Sequence, residues 1–237
     1  MATRKLPFFA RFSGGMFRLL ARCTARVTLE GMEKIPQSGP VLFVSNHASN
    51  ADGPLYIGFI IPAMGRPMVW LGKEEATKWP VLGWAVRHNG VVGIRRGAGD
   101  LEAFKLARSV LDDRRPLTIF PEGTRSANGA MQPAKDGATV LAVRSGAPII
   151  PIAIIGSQRY WPKGKFLPRP GRRMTIRVGD PFTLVMPKGS DRHESLRLAT
   201  AEMMKHVAEL LPPEQRGVYG ETVGGQLEGA GDGSRSV

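Results

Sequence analysis

Apolar residues along the chain form short continuous runs that alternate with longer amphipathic stretches. The run at residues 41–45 is typical of a strand that is buried on both faces of a parallel sheet. Strands are also predicted over residues 26–31, 68–72, 90–94, 117–120, 147–156 and 172–182. Helices are predicted over residues 51–63, 74–88, 99–116, 135–146 and 191–211. This alternation predicts an α/β domain with a mostly parallel central sheet flanked by helices.

The two ends of the chain differ in composition from its middle. Residues 6–24 place phenylalanines and leucines among arginines, which predicts a basic amphipathic helix with a break at the glycine pair 14–15. We therefore expect residues 1–26 to form a membrane-docking segment and residues 27–213 to form one globular domain. Residues 214–237 are rich in glycine and polar residues, so they are predicted to form a disordered tail.

Composition narrows the classes of partner and of site. The chain has 237 residues, a formal net charge of +13 and a pI of about 10.6. Its partners are therefore expected to be anionic: nucleic acid, an acidic membrane surface or a phosphate-bearing substrate. Cys23 is the only cysteine, which excludes a disulfide within the chain and suits a reducing compartment. Apolar runs fall short of the ~18 residues of a spanning helix, and arginines interrupt residues 1–26, so no signal peptide is expected.

His47 follows the strand predicted at residues 41–45, and Asp52 comes shortly after it. In sheets of this kind, ligands bind outside the carboxyl ends of the strands. On a regular helix the two side chains would point about 140° apart, so they meet only if the chain bends between them. With that bend, Asp52 accepts the proton of one ring nitrogen and leaves the other free to act as a base. The alternative is a structural histidine with an aspartate nearby by chance.

Three further predicted strands are also followed by charged or polar residues. These residues are Lys73, Arg96 and the segment Glu122, Gly123, Thr124 and Arg125. Gly123 permits a close backbone approach, and the guanidinium of Arg125 offers two parallel donors to a phosphate. Taken singly, each feature is a modest signal, since a solvated turn with a Glu–Arg pair and solvated arginines are the alternatives. Taken together, one base and several cations at successive strand ends predict chemistry on a phosphorylated substrate.

Two other classes of protein are open at this point. A serine esterase would use Ser45, His47 and Asp52 and would hydrolyse its substrate, although no G-x-S-x-G nucleophile elbow is present. A non-catalytic protein that binds membranes or nucleic acid through its charge leaves the placement of His47 and Asp52 unexplained, and we expect no nucleic-acid partner. The other histidines lie at no ligand spacing to His47, so no metal site is predicted.

Four segments match the sequence blocks of one known family, in order and spacing, over residues 27–185. They are NHASNAD at residues 46–52, GVVGIRR at 90–96, FPEGTRS at 120–126, and APIIPIAIIG at 147–156 with Pro151 in its expected place. The first is similar to an Asn-His-x4-Asp motif. Together they resemble the glycerolipid acyltransferases, specifically the 1-acylglycerol-3-phosphate (lysophosphatidate) acyltransferases.

The resemblance implies the glycerolipid acyltransferase fold. It also implies transfer of a fatty acyl group from acyl-CoA or acyl-carrier protein to the free hydroxyl of 1-acylglycerol-3-phosphate, giving phosphatidic acid. His47 and Asp52 would be the catalytic pair, and no metal or other cofactor is implied. The residues implied around the acceptor's phosphate and glycerol are Lys73, Arg96, Glu122, Gly123, Thr124 and Arg125. A related alternative keeps the chemistry and changes the acceptor to another lysophospholipid or a lyso-aminolipid.

An acceptor of this kind resides in a bilayer, so the enzyme is expected to reach it from the surface. The apolar side of the helix predicted at residues 6–24 would enter the headgroup region while its arginines contact anionic lipid. We therefore expect peripheral, monotopic binding at the cytoplasmic face of a membrane.

Overall fold

A computed structural model describes residues 6–73, 90–94, 99–186 and 191–221. Every strand predicted from the sequence is present. The strands are β1 (Ala25–Glu30), β2 (Val41–Ser45), β3 (Val69–Lys73), β4 (Val91–Ile94), β5 (Pro116–Ile119), β6 (Ile149–Ile155) and β7 (Arg172–Val178). Within the described residues these strands form one sheet in the order β1-β7-β6-β2-β5-β3-β4.

The sheet is mostly parallel, as predicted. β6, β2, β5, β3 and β4 run in one direction, and only the pairing of β6 with β7 is antiparallel. β1 lies at the edge and is parallel to β7. The carboxyl ends of five neighbouring strands therefore meet at one edge of the sheet, where ligands bind in folds of this type.

Helices cover both faces of the sheet. They are α1 (Phe8–Thr24), α2 (Asp52–Leu55), α3 (Ile61–Met64), α4 (Gly99–Asp112), α5 (Gly137–Ser145), α6 (Ser157–Tyr160) and α7 (Arg192–Glu209), and a π-helical turn (Tyr56–Ile60) joins α2 to α3. Along β2, Val41 and Phe43 pack into the core on the α1 side. Leu42 and Val44 pack into the core on the α7 side. β2 is apolar throughout its first four positions because both of its faces are covered.

α1 is continuous, so the predicted break at Gly14-Gly15 is wrong. Gly14 is buried where α1 crosses the π-helical turn, and a Cβ added there would lie 3.0 Å from the carbonyl oxygen of Ile57. On the other side of the crossing, a Cβ on Gly58 would lie 3.1 Å from the backbone nitrogen of Arg18. The two glycines therefore allow two helical backbones to pack closely, and this tertiary contact outweighs the weak helix propensity of glycine.

The predicted start of the domain at residue 27 falls within β1, which begins at Ala25. The prediction of a disordered tail from residue 214 is wrong for its first part, because 3-10 turns form at Pro213–Gln215 and Gly217–Tyr219. The Tyr219 side chain is buried, and its hydroxyl accepts the N–H of Ala134 at 3.0 Å. The tail beyond residue 221 and the helix predicted at residues 74–88 lie outside the described residues.

The glycine pair in α1 gives a matched test of this packing. Nothing lies within 4 Å of a Cβ added at Gly15, whereas a Cβ at Gly14 meets backbone. Gly15→Ala is expected to raise the free energy of unfolding by about 0.5–1 kcal/mol through helix propensity. Gly14→Ala is expected to lower it by about 1 kcal/mol or more through overpacking. Urea unfolding of both variants measures the difference, and equal stabilisation by both would contradict the close crossing.

Candidate active site

His47 and Asp52 are brought together by the turn that follows β2. The strand ends at Ser45 and α2 begins at Asp52. Nδ1 of His47 lies 2.8 Å from Oδ2 of Asp52, so the predicted bend and contact are present. The Asp52 side chain is fully buried, whereas 22% of the His47 side chain is exposed. The imidazole is therefore open to a substrate at the carboxyl edge of the sheet.

Three further donors hold the Asp52 carboxylate. Oδ2 accepts the N–H groups of Ala48 and Ser49, each at 2.9 Å. Oδ1 accepts the hydroxyl of Ser157 at 2.8 Å. These bonds offset the cost of burying a charge. Since an ionised carboxylate only accepts hydrogen bonds, Nδ1 of His47 is its donor, and the free lone pair of the ring lies on Nε2.

Sequence reasoning misses Ser157, the first residue of α6. The preceding residue, Gly156, has a φ of +79°, and a Cβ there would lie 2.4 Å from the carbonyl oxygen of Arg173. Glycine is therefore needed for the turn from β6 into α6, which delivers the Ser157 hydroxyl to Asp52. The two residues are 105 positions apart, so no local pattern connects them.

Asn46 joins the end of β2 to β6. Its side-chain amide donates to the carbonyl of Ile154 at 3.1 Å, and its side-chain oxygen accepts the N–H of Ile154 at 2.8 Å. This pair of bonds continues the contact between the two strands beyond Ser45, where the backbone ladder stops. The first residue of the Asn-His-x4-Asp motif thus fixes the point at which the chain leaves the sheet.

Glu122 holds the backbone of His47. Its Oε1 accepts the His47 N–H at 2.8 Å, and its Oε2 accepts the N–H of Gln132 at 3.0 Å. The same loop also donates the N–H of Ser126 to the His47 carbonyl at 2.8 Å. Burial raises the pKa of Glu122, and the two backbone N–H groups oppose that rise. Glu122 therefore acts on the site by positioning His47, and its predicted contact with the acceptor stays a prediction.

Aromatic side chains support the imidazole from one side. The ring of Phe120, the last residue before the loop of Glu122, stacks on His47 with centroids 4.2 Å apart and planes 22° apart. Tyr56 meets Phe120 edge-on at 5.8 Å and lies 6.1 Å from Trp70. Burial raises the pKa of the Tyr56 hydroxyl, so it stays protonated. These rings fix the plane of His47; Phe120 lies within the FPEGTRS block, but sequence reasoning assigns it no role, and it misses Tyr56 and Trp70.

The loop after β5 presents its next residues to solvent. Gly123 has a φ of +69°, and it and Thr124 are exposed. Arg125 is half-buried, and its guanidinium has no hydrogen-bond or ion-pair partner within the described part of the chain. Its carbonyl accepts the ammonium of Lys163 at 2.7 Å. The loop thus places a planar cation, unpaired among the described residues, next to the turn that carries His47.

The other two predicted cations lie at neighbouring strand ends. Lys73 is the last residue of β3, and β3 pairs in parallel with both β5 and β4. Lys73 therefore shares the carboxyl edge of the sheet with His47. Arg96 follows β4, but it lies outside the described residues, so its predicted place is not tested.

Ser45 is poorly placed for the esterase alternative. The residue is fully buried, and its hydroxyl donates to the carbonyl of Asn46 at 3.1 Å. A nucleophile needs an exposed oxygen within reach of its base.

Within residues 6–73, 90–94, 99–186 and 191–221, no cluster of histidine, cysteine and acidic residues could hold a metal ion.

Comparison with known proteins finds a matching family model and similar proteins. Residues 26–155 match the model of a family described as Acyltransferase. A 1-acyl-sn-glycerol-3-phosphate acyltransferase of Pseudomonas aeruginosa is 30% identical over 211 residues, which cover 88% of this chain and 78% of that protein. Another, from Chlamydomonas reinhardtii, is 31% identical over 192 residues, which cover 80% of this chain and 54% of that protein.

A solved structure shares the fold. The 1-acyl-sn-glycerophosphate (LPA) acyltransferase PlsC from Thermotoga maritima superposes with a TM-score of 0.63 at 28% identity, over 85% of this chain and 78% of that chain. The chain spans about half the length of several curated relatives that it matches.

The variant Glu122→Gln tests the hydrogen bond between Glu122 and the His47 backbone. An amide has only one oxygen to accept a hydrogen bond, so the N–H of His47 or of Gln132 loses its partner. Losing such a bond at a buried site costs about 1–3 kcal/mol, so we expect the rate of acyl transfer to fall about tenfold or more. The matched control is Glu102→Gln on the exposed side of α4. A folded Glu122→Gln variant that transfers acyl groups at the wild-type rate would show that this hydrogen bond is not needed.

Proposed function

Since this chain belongs to the Acyltransferase family, we propose that it transfers a fatty acyl group to the free hydroxyl of 1-acylglycerol-3-phosphate and forms phosphatidic acid. The donor is a thioester, either acyl-CoA or acyl-carrier protein. The observation that carries this proposal is the His47–Asp52 contact of 2.8 Å at the carboxyl edge of the sheet. The names of the relatives from Pseudomonas aeruginosa and Thermotoga maritima support the choice of acceptor.

In the proposed mechanism, Nε2 of His47 is the general base. It takes the proton of the acceptor hydroxyl as that oxygen attacks the thioester carbonyl. The buried carboxylate of Asp52 stabilises the imidazolium that forms. The tetrahedral intermediate then collapses, the C–S bond breaks, and the imidazolium returns its proton to the leaving thiolate. General base catalysis of this kind supplies about 10²–10⁴ in rate, and no step requires a metal or another cofactor.

The acceptor's phosphate is proposed to bind Arg125. Its half-buried guanidinium is unpaired among the described residues, and a planar fork matches two phosphate oxygens. Thr124 and the exposed backbone of Gly123 are proposed to contact the glycerol. Lys73 and Arg96 remain part of the proposal as cations that follow neighbouring parallel strands. Glu122 supports the position of Arg125, since its bond to the His47 N–H fixes the loop that carries both residues.

The chain is also proposed to bind a membrane surface through α1. At 100° per residue, the exposed apolar residues of α1 occupy one side of about 120°, which we call the apolar stripe. Its residues are Phe8, Phe9, Phe12, Met16, Leu19 and Leu20. A second side of the helix, which includes Ala10 and Gly14, packs on the domain. A helix that turns its apolar side away from its own core is typical of interfacial binding.

The arginines of α1 suit an anionic membrane surface. Arg11, Arg18 and Arg22 lie together on a third side of the helix, next to the apolar stripe. No helix in the described part of the chain is long and apolar enough to cross a bilayer. Because the apolar stripe and these arginines lie side by side on α1, we propose peripheral docking at the cytoplasmic face, where acyl-CoA and acyl-carrier protein are available.

The acyl-transfer proposal is tested by His47→Ala and Asp52→Asn, with His193→Ala on α7 as the matched histidine control. His47→Ala is expected to lower turnover at least about 100-fold, because a general base supplies no less. Asp52→Asn is expected to lower it less. The assay measures the phosphatidic acid formed from lysophosphatidate with acyl-CoA or acyl-carrier protein as the donor. Lysophosphatidylcholine and a lyso-aminolipid are assayed in parallel as alternative acceptors. A His47→Ala variant with more than about a tenth of wild-type turnover would contradict the base role.

The docking proposal is tested with Phe8→Ser/Phe12→Ser/Leu19→Ser. Each removed side chain contributes about 1.5–3 kcal/mol when it is buried in an apolar phase, so sedimentation with anionic vesicles is expected to drop at least about tenfold. The matched control is Leu101→Ser/Leu198→Ser/Val218→Ser, which removes exposed apolar residues from other elements. Equal sedimentation of the two triple variants would show that the apolar stripe of α1 is not the docking surface.

A further inference from the structure

A compact loop follows α6 and lies beside the turn after β2 that carries His47. We call residues 161–171 the rim loop. Its neck is closed by the N–H of Arg169, which donates to the carbonyl of Tyr160 at 2.7 Å. Thr24, the last residue of α1, holds the residue before the loop and the last residue of the loop: its hydroxyl lies 2.6 Å from the hydroxyl of Tyr160, and its carbonyl accepts the N–H of Gly171 at 2.8 Å. The rim loop is therefore a built element with its ends close together.

Hydrogen bonds attach the rim loop to the turn that carries His47. The hydroxyl of Ser49 donates to the carbonyl of Trp161 at 2.8 Å, and the N–H of Asn50 donates to the same carbonyl at 3.1 Å. The Asn50 side chain donates to the carbonyl of Lys165 at 2.9 Å. As noted, Lys163 also reaches the Arg125 carbonyl. The rim loop is therefore attached both to the turn that carries His47 and to the loop that carries Arg125.

The tip of the rim loop exposes two large apolar side chains. Phe166 is 82% exposed and Leu167 is 69% exposed. They follow Lys165, whose carbonyl accepts both the Asn50 side chain and the indole N–H of Trp161, each at 2.9 Å. The backbone that leads into the tip is therefore fixed, and the two side chains are held in water next to the site.

The surroundings of the tip are strongly basic. Between Asp136 and Asp180 the chain has no acidic residue. Exposed cations lie before, within and after the rim loop: Arg159, Lys163, Lys165, Arg169, Arg172 and Arg173. Among residues that the structure describes, none of these cations forms an ion pair. The element thus combines an apolar tip with an unneutralised positive border.

We propose that the rim loop is a second lipid-contacting element, which inserts Phe166 and Leu167 into an anionic bilayer at the mouth of the active site. An apolar tip bordered by cations on both sides matches a flat interface of headgroups over acyl chains. The attachment to Thr24 makes the loop continuous with α1. This inference rests on the proposed function, because only a bilayer-resident acceptor needs the mouth of the site at the headgroup level.

The test measures vesicle binding of the full chain, with no substrate present. The variant Phe166→Ser/Leu167→Ser is compared with Leu101→Ser/Val185→Ser, which removes two exposed apolar side chains from other segments. On phosphatidylglycerol vesicles the rim-loop variant is expected to bind at least about tenfold more weakly than wild type, and the control variant within about twofold of wild type. Melting temperatures confirm that both variants are folded.

A second variant tests the charges. Lys165→Gln/Arg169→Gln is expected to lose affinity for phosphatidylglycerol vesicles and to keep the weaker wild-type affinity for phosphatidylcholine vesicles. Undiminished binding of both rim-loop variants overturns the inference. A loss of affinity for acyl-carrier protein, or of self-association, in place of the loss on vesicles also overturns it. The proposed function fails on a separate result, which is absence of acyl transfer to lysophosphatidate by the wild-type chain.

Discussion

The buried carboxylate of Asp52 is the constraint on which the rest of the site depends. A charge without access to water must receive hydrogen bonds from the protein. Its donors come from the turn after β2, from the ring of His47 and from Ser157 at the start of α6. Satisfying one carboxylate therefore fixes the path of the chain from β2 into α2, the position of α6 after β6, and the tautomer of the imidazole.

The remaining contacts hold the backbone of His47, the proposed general base, and leave its Nε2 free. Asn46 anchors the chain to β6 on one side, and Glu122 anchors it to the loop after β5 on the other. Phe120 sets the plane of the ring. If His47 is the base, as proposed, it is oriented before its substrate arrives, so little reorganisation is needed in the transition state. The rim loop is attached to the same turn, which links the proposed contact with lipid to the position of His47.

Sequence reasoning finds what local patterns encode. The apolar run of β2 predicts a strand end, and a histidine and an aspartate just beyond it predict the catalytic turn. It misses Ser157, because a hydroxyl contact 105 positions away leaves no local trace. The acceptor contact of Glu122 is implied by the family resemblance and stays a prediction, while the structure adds that both carboxylate oxygens accept backbone N–H groups. Sequence reasoning predicts a break at Gly14, where packing against Ile57 overrides propensity, and a tail that begins before the buried Tyr219.

The most direct measurement of the central claim is the tautomer of His47 in the folded protein. Nitrogen-15 NMR of the imidazoles, assigned with His47→Ala, reports which ring nitrogen carries the proton at a pH where the ring is neutral. The account predicts a proton on Nδ1, facing Asp52, and an unprotonated Nε2, with that preference lost in Asp52→Asn. A neutral His47 with its proton on Nε2 in the wild-type protein would contradict the account.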